Sequence, residues 1–223
     1  CSKFEENHQA MRDTWLKEAT SLGMDYRFFV EMGSEPKSDV VVTEHEDWAM
    51  TSRLKDKVKW GFYRGYDYLF SCFPDTYVRV DRLLTSGFDK FDYFGSVFKH
   101  ASPGATYYCH GGAGYLIDRR AMEYVMMEPS SYLNDDCWLG DVLNKPSILR
   151  GHSEDFRQFA GSPVKDNTVV TSHLSFQSNS LGVPYDASFM YAEHQQWVNS
   201  GGVLVPYIPR LEERVLRWKR RLS

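Results

Sequence analysis

The sequence predicts an α/β fold with a mostly parallel central sheet and helices on both faces. Two observations carry this. Short runs of β-branched and aromatic residues alternate with stretches of helical periodicity. The 223 residues also suffice for one mixed domain with a sizeable core, without metal or disulfide staples.

Residues 4–22 read as an amphipathic helix, with Phe4, Met11, Trp15, Ala19 and Leu22 on one face and Gly23 as its stop. Residues 26–32 and 39–42 read as strands. A second helix is expected over 48–64, where Met50, Leu54, Val58 and Phe62 form one stripe. Tyr66-Asp67-Tyr68-Leu69-Phe70-Ser71 reads as a buried strand ending at Phe73-Pro74-Asp75, and 77–84 resumes a helical pattern. Strands around 92–98 and 114–117 follow, then helices from Arg119 and from Asp135.

Beyond residue 145 the pattern loosens. The polar stretch 151–167 reads as a long functional loop. A strand over 168–171 and a helix over 185–198 are expected after it. The last segment, 209–223, sets Leu211, Val215, Trp218 and Leu222 on one face among six basic residues. It reads as a docked terminal helix, or a linker to a further domain of a larger polypeptide, ahead of a membrane-surface helix. The expected division is therefore one domain over 1–208 and a basic amphipathic appendage over 209–223.

Composition excludes several function classes. The 26 basic and 30 acidic residues give a net charge of −4, which argues against nucleic acid as a partner. No apolar run approaches the roughly 20 residues of a transmembrane helix, and no signal peptide is expected at the start. The four cysteines, Cys1, Cys72, Cys109 and Cys137, form no CxxC, and their pairing or freedom stays open. No glycosylation sequon occurs. Aromatic residues make up 15%, which suits both core packing and stacking on sugars or bases.

Three segments place unusual residues just beyond a strand, where open α/β sheets bind ligands. In Cys72-Phe73-Pro74-Asp75-Thr76-Tyr77-Val78, Asp75 can hold a divalent metal beside a phosphate, or simply cap a helix. In His110-Gly111-Gly112-Ala113-Gly114-Tyr115, small residues allow close backbone approach to a ligand, or a tight turn into a strand. In Asn134-Asp135-Asp136-Cys137-Trp138-Leu139-Gly140, the paired carboxylates can be caps favoured by the helix dipole, or a general base and its neighbour. His173 follows an apparent strand, and its imidazole could join Asp75 on manganese, although a lone His is more often structural.

Taken together, these segments resemble the β-1,3-glycosyltransferase family of fringe and core-1 galactosyltransferases. Arg12-Asp13-Thr14-Trp15 is similar to that family's N-terminal Arg/Lys-x-Thr/Ser-Trp helix. Asp75-Thr76-Tyr77-Val78 resembles the tail of its Asp-Asp-Asp-Thr-Tyr-Val metal motif, and Gly111-Gly112-Ala113-Gly114-Tyr115 matches its glycine segment. Asp135-Asp136-Cys137-Trp138-Leu139-Gly140 resembles its Glu/Asp-Asp-x-x-Leu-Gly helix, and His173 falls near its late metal-binding His. The order is the family's, over about residues 1–176.

The resemblance implies a GT-A fold, Mn2+ (or Mg2+), a UDP-sugar donor, a glycan or glycoprotein acceptor and inversion at the anomeric carbon. Galactose is the expected sugar. Residue by residue, it implies metal binding by Asp75 and His173 and a general-base role for Asp136. It sets Arg12 near the nucleotide and Gly112, Ala113 and Gly114 against the donor sugar. Tyr115, Asp135 and Trp138 flank these motifs, where they could contact the acceptor or stack on a sugar, as could Tyr107 and Tyr108. Where the family has three acidic residues, this chain has Phe73 and Pro74 before Asp75. That departure keeps a second expectation open, a sugar- or nucleotide-binding module without turnover. A metal-dependent hydrolase is a third. The family works in the Golgi lumen, whereas the missing sequons suit a cytosolic enzyme equally well.

Overall fold

A computed structural model of the chain describes residues 4–45, 50–99, 106–131, 134–158, 168–180 and 184–200, with Gly182. The fold is mixed α/β. The first expected helix is two: α1 (Glu5–Asp13) and α2 (Trp15–Ser21). The break falls at Thr14, whose ψ of −113° is not helical and whose hydroxyl donates to Ala10 O at 2.6 Å. A β-branched side chain bonding back to the preceding turn competes with continuation of the helix.

β1 (Phe28–Val30) and β2 (Val40–Val42) pair in parallel. α3 (Met50–Tyr63) buries the expected Leu54 and Val58; its proposed start at Trp48 lies outside the described residues. β3 (Tyr68–Ser71) then leads to Asp75, but the next element is β4 (Thr76–Val78), not a helix. Thr-Tyr-Val is fully buried and pairs antiparallel with β11 (Thr171–His173), so tertiary pairing overrides the helical spacing of 77–84. Only α4 (Val80–Thr85) keeps that pattern.

β5 (Tyr93–Gly95), the hairpin of β6 (Val97–Lys99) and β7 (Tyr107–Cys109), and β8 (Tyr115–Asp118) follow. α5 (Arg119–Met127) is capped by Asp118, which accepts from Ala121 N, and α6 (Asp135–Val142) starts where expected. The described part of the expected loop carries β9 (Arg150–His152) and β10 (Phe156–Arg157), and its remainder, 159–167, lies outside the described residues. α7 (Leu174–Ser180) and α8 (Ser188–Asn199) come last. The expected basic helix over 209–223 lies outside the described residues.

A single mostly parallel sheet is not evident. Four small sheets are seen among the described residues, ordered β1-β2, β10-β11-β4, β3-β8-β5-β9 and β6-β7. β8 runs antiparallel to both neighbours, and only β9 adds to β5 in parallel. Strand direction depends on how each connection crosses, which hydrophobic runs do not encode. What the alternation did encode is burial on two sides. Along β5 and β8, Phe94 and Leu116 join a core with α1, α2, α4 and α8, while Tyr93, Tyr115 and Ile117 join another with α3, α5 and α6. α8 is tied to β4 through Arg79–Glu193 at 2.6 Å and Tyr77 Oη–His194 Nδ1 at 3.0 Å.

The first core holds a titratable group. His8 stacks on Phe28 with ring centroids 4.1 Å apart, and burial pushes its pKa down to about 4. The folded protein thus keeps His8 neutral while the unfolded chain protonates it below about 6.5. Stability should therefore fall as pH drops from 6.5 towards 4, and this contribution should level off below. After discounting for solvent screening, the loss should be about 2 kcal/mol. His8→Phe keeps the stacking ring and should lose that much less on acidification, as measured by urea unfolding at pH 7 and pH 4.5.

Candidate functional site

The segments singled out in the sequence meet around the turn between β7 and β8. That turn, Gly111–Ala113, is a single 3-10 turn, and Gly114 after it has φ +78°, a conformation glycine adopts without strain. Two threonines from neighbouring strands hold the turn: Thr76 Oγ1 donates to Gly112 O at 2.8 Å, and Thr171 Oγ1 to Ala113 O at 2.5 Å. This is why the segment is glycine-rich. A Cβ on Gly112 would lie 2.2 Å from His173 Cε1, one on Gly111 3.0 Å from Phe73, and one on Gly114 2.6 Å from Phe70. The close approach is by the protein's own rings. Gly112 and Gly114 therefore have a packing role whatever they do for a donor sugar.

Asp75 ends the loop after β3, and His173 ends β11, whose ladder sets His173 opposite Thr76. Their side chains meet at 3.1 Å, His173 Nε2 to Asp75 Oδ2, with Ser175 Oγ 3.2 Å from the same nitrogen. Burial pushes the Asp75 carboxyl up, but the bond and charge of His173, with a bond from Ser175, hold it below the usual range. Its other oxygen, Oδ1, is buried without a hydrogen-bond partner. Since β4 rather than a helix follows, the helix-cap explanation of Asp75 falls.

Does this pair suit a divalent metal? An orphaned buried carboxylate oxygen beside an imidazole nitrogen is a donor set that manganese accepts. Among the described residues no group of three or more His, Cys, Asp or Glu converges on one point. Two protein ligands match a metal that takes its remaining ligands from water and substrate phosphates. The residues fit.

Asp136 reaches the same turn from the first turn of α6. Its Oδ2 accepts from Gly111 N at 3.2 Å and its Oδ1 from Cys137 N at 2.7 Å, and the residue is only 8% exposed. Each carboxylate oxygen retains a further lone pair for an acceptor hydroxyl. Asp135 is buried to the same degree, near Lys57, and accepts from Asp136 N at 3.0 Å; burial raises its pKa against the opposing pull of that lysine.

The remaining expected residues are placed differently. Arg12 lies in a separate cluster: it donates to Asp39 Oδ2 at 2.7 Å and Oδ1 at 3.2 Å, pairs with Glu5 at 3.1 Å and covers the Phe28 ring. Its guanidinium ties α1 to β1 and β2. Tyr115 and Trp138 do not suit a stacking role, being 1% and 5% exposed; the Trp138 indole N–H donates to Pro129 O. Tyr107, at 47% exposure, keeps an accessible ring, and Tyr108 is half-buried. Cys72, Cys109 and Cys137 are free thiols.

Sequence reasoning missed His110 as a side chain, and Gln158, Ser175 and Tyr185 altogether. Gln158 lies between the His173 and His110 rings, and the Tyr185 hydroxyl is buried without a partner near Asp75. His110 directly precedes the glycine turn and could have been suspected; the others stand in polar stretches with no periodic signal.

Gly112→Ala should be severe for its size. His173 is buried and bonded on both ring nitrogens, so it cannot swing away cheaply. Overpacking of this kind costs about 1–3 kcal/mol. A denaturant titration should show that loss, and an unchanged midpoint would mean that the ring moves freely.

No protein-family model and no curated protein sequence matches the chain. No helix among the described residues is long and apolar enough to cross a membrane.

Proposed function

We propose that the protein is an inverting, metal-dependent glycosyltransferase of GT-A type, moving a hexose, galactose in the first instance, from a UDP-sugar to a hydroxyl of a glycan or glycoprotein acceptor. The observation that supports this best is convergence. Asp75, the glycine turn, Asp136 and His173 are up to 98 residues apart, yet consecutive hydrogen bonds and ring contacts link them. Segments with unrelated structural duties have no reason to gather a carboxylate–imidazole pair and a second carboxylate around one turn.

Asp75 and His173 would hold the Mn2+ (or Mg2+). The ion would neutralise charge on the diphosphate of the departing UDP. Asp136 accepts the proton of the attacking hydroxyl, whose oxygen bonds to the anomeric carbon as the bond from that carbon to the UDP oxygen breaks. Attack on the face opposite UDP inverts the centre. Exposed Tyr107 and half-buried Tyr108, on β7 beside α6, are better placed than Tyr115 or Trp138 to meet a sugar face.

One observation favours a second reading, a binding module. Phe73 stands where the resembled motif is acidic; it covers Gly111 and meets His173 edge-on with centroids 6.2 Å apart. Measuring UDP release from a panel of UDP-sugars with Mn2+, with and without acceptor glycans, separates the possibilities. The proposal expects acceptor-dependent release with the sugar transferred. Affinity without turnover would establish the binding module, and free sugar with no acceptor dependence would establish a hydrolase.

A further inference from the structure

The hairpin of β6 and β7 has two unlike faces. Side chains alternate along a strand, and in this ladder Phe98 stands opposite Tyr108 while Lys99 stands opposite Tyr107. Tyr107 and Lys99 therefore share one face, where the ammonium lies 5.7 Å from the ring centroid. Phe98 and Tyr108 share the other, and the ring of His110 joins them there. The ring centroids are 5.9 Å apart for Phe98 and His110, 6.4 Å for Tyr108 and His110, and 6.5 Å for Phe98 and Tyr108. All three residues are half-buried, so each keeps part of its surface exposed.

This ring cluster adjoins both chemical groups of the site. At one end, α6 packs so closely on β7 that a Cβ on Gly140 would lie 2.5 Å from Tyr108 Cβ. Asp136 is one turn earlier on that helix, and its carboxylate accepts from Gly111 N, directly after His110. Burial, the Cys137 thiol and the Asp136 carboxylate together raise the pKa of the Tyr108 hydroxyl. At the other end, the His110 ring centroid is 6.0 Å from that of His173.

Two parts of the reactants could use an aromatic surface, the uracil of the donor and the sugar ring of an acceptor. The diphosphate separates the uracil from the reacting carbon, whereas the acceptor hydroxyl must come to Asp136. Rings that flank Asp136 suit the acceptor. A hexopyranose carries a patch of C–H groups on a ring face and hydroxyls around its edge. The patch packs on flat rings and leaves the hydroxyls at the rim. A serine or threonine hydroxyl on a polypeptide has no such face to offer.

We propose that Phe98, Tyr108 and His110 form the acceptor subsite, and that its occupant is a hexopyranose laid by its C–H face on these rings with one hydroxyl at Asp136. This deepens the transferase reading above and rests on it. The acceptor is then a sugar ring of a glycan, not an amino-acid hydroxyl of a protein.

The test is binding of methyl hexopyranosides (galactoside, glucoside, mannoside and their N-acetylhexosaminide counterparts) by saturation-transfer NMR, with UDP and Mn2+ present and absent. At least one glycoside should bind, with saturation concentrated on the C–H protons of one ring face. Tyr108→Ala and Phe98→Ala should each weaken that binding about 3–10-fold, the usual scale for one aromatic contact, and leave UDP affinity unchanged. Tyr108→Phe keeps the ring and should bind the glycoside as wild type does. If an alanine variant does not fold, nuclear Overhauser contacts in wild type between sugar C–H protons and the Phe98 and Tyr108 rings decide. Absence of glycoside binding overturns the proposal, and so does undiminished binding by both folded alanine variants. Loss of UDP affinity in those variants overturns it too, by assigning the rings to the uracil. The transferase reading fails in a different way: a glycoside held on these rings by a protein that binds neither UDP nor Mn2+ would end that reading and leave a sugar-binding surface.

Discussion

Asp136→Asn should yield a folded protein that still binds UDP but transfers sugar about 10²–10⁴-fold more slowly, the usual contribution of a general base. Asparagine keeps the shape of the side chain and loses its basicity. It also sets an NH2 group against one of the two backbone N–H groups, from Gly111 and Cys137, that the carboxylate accepts. That mismatch should cost about 1–3 kcal/mol of stability, visible as a lower unfolding midpoint. The two effects are separable, because a structural loss would weaken UDP binding in parallel, whereas loss of the base would leave binding intact. Near-normal turnover by a folded Asp136→Asn enzyme would remove Asp136 from the chemistry.

Asp75→Ala should abolish the response to manganese. The substitution deletes both oxygens and leaves His173 Nε2 facing Ser175, while the Asp75 carbonyl still accepts Leu174 N at 3.0 Å. The loop before β4 should therefore keep its course. Wild-type protein in Mn2+ at about 100 times its dissociation constant should gain about 2.7 kcal/mol against unfolding; Asp75→Ala should gain nothing measurable. His173→Ala should behave alike, because two ligands act as a unit. Manganese stabilisation that survives both substitutions would move the metal elsewhere in the molecule.

Much of this site was legible in the sequence because its residues stand in short segments whose composition is odd for their surroundings. A carboxylate after a buried run, four small residues before a strand and paired acids at a helix start each carry a local signal. Their assembly was not legible. Asp75 and His173 meet only because β4 pairs with β11, and the spacing over 77–84 pointed to a helix in place of β4. Gln158 carried no local signal, since its importance depends on two imidazoles that sequence places 48 and 15 residues away. Arg12 shows the opposite difficulty. Its position beside Thr14 and Trp15 suggested a ligand, but Asp39, 27 residues later, supplies the carboxylate it binds. Burial on both faces of β5 and β8 could be expected from hydrophobic runs, whereas their direction could not, because direction depends on connections that carry no hydrophobic pattern.

The two-sided burial of β8 has a consequence for how the protein comes apart. Leu116 belongs to one core, and its chain neighbours Tyr115 and Ile117 to the other. Neither core can lose its packing without dragging the same four-residue strand out of register, so the two melt together, as one cooperative unit. The strand that couples them begins directly after the glycine turn. Thermal damage and loss of the site are therefore one event: heat should not produce a species that keeps its shape but has lost the arrangement around the glycine turn.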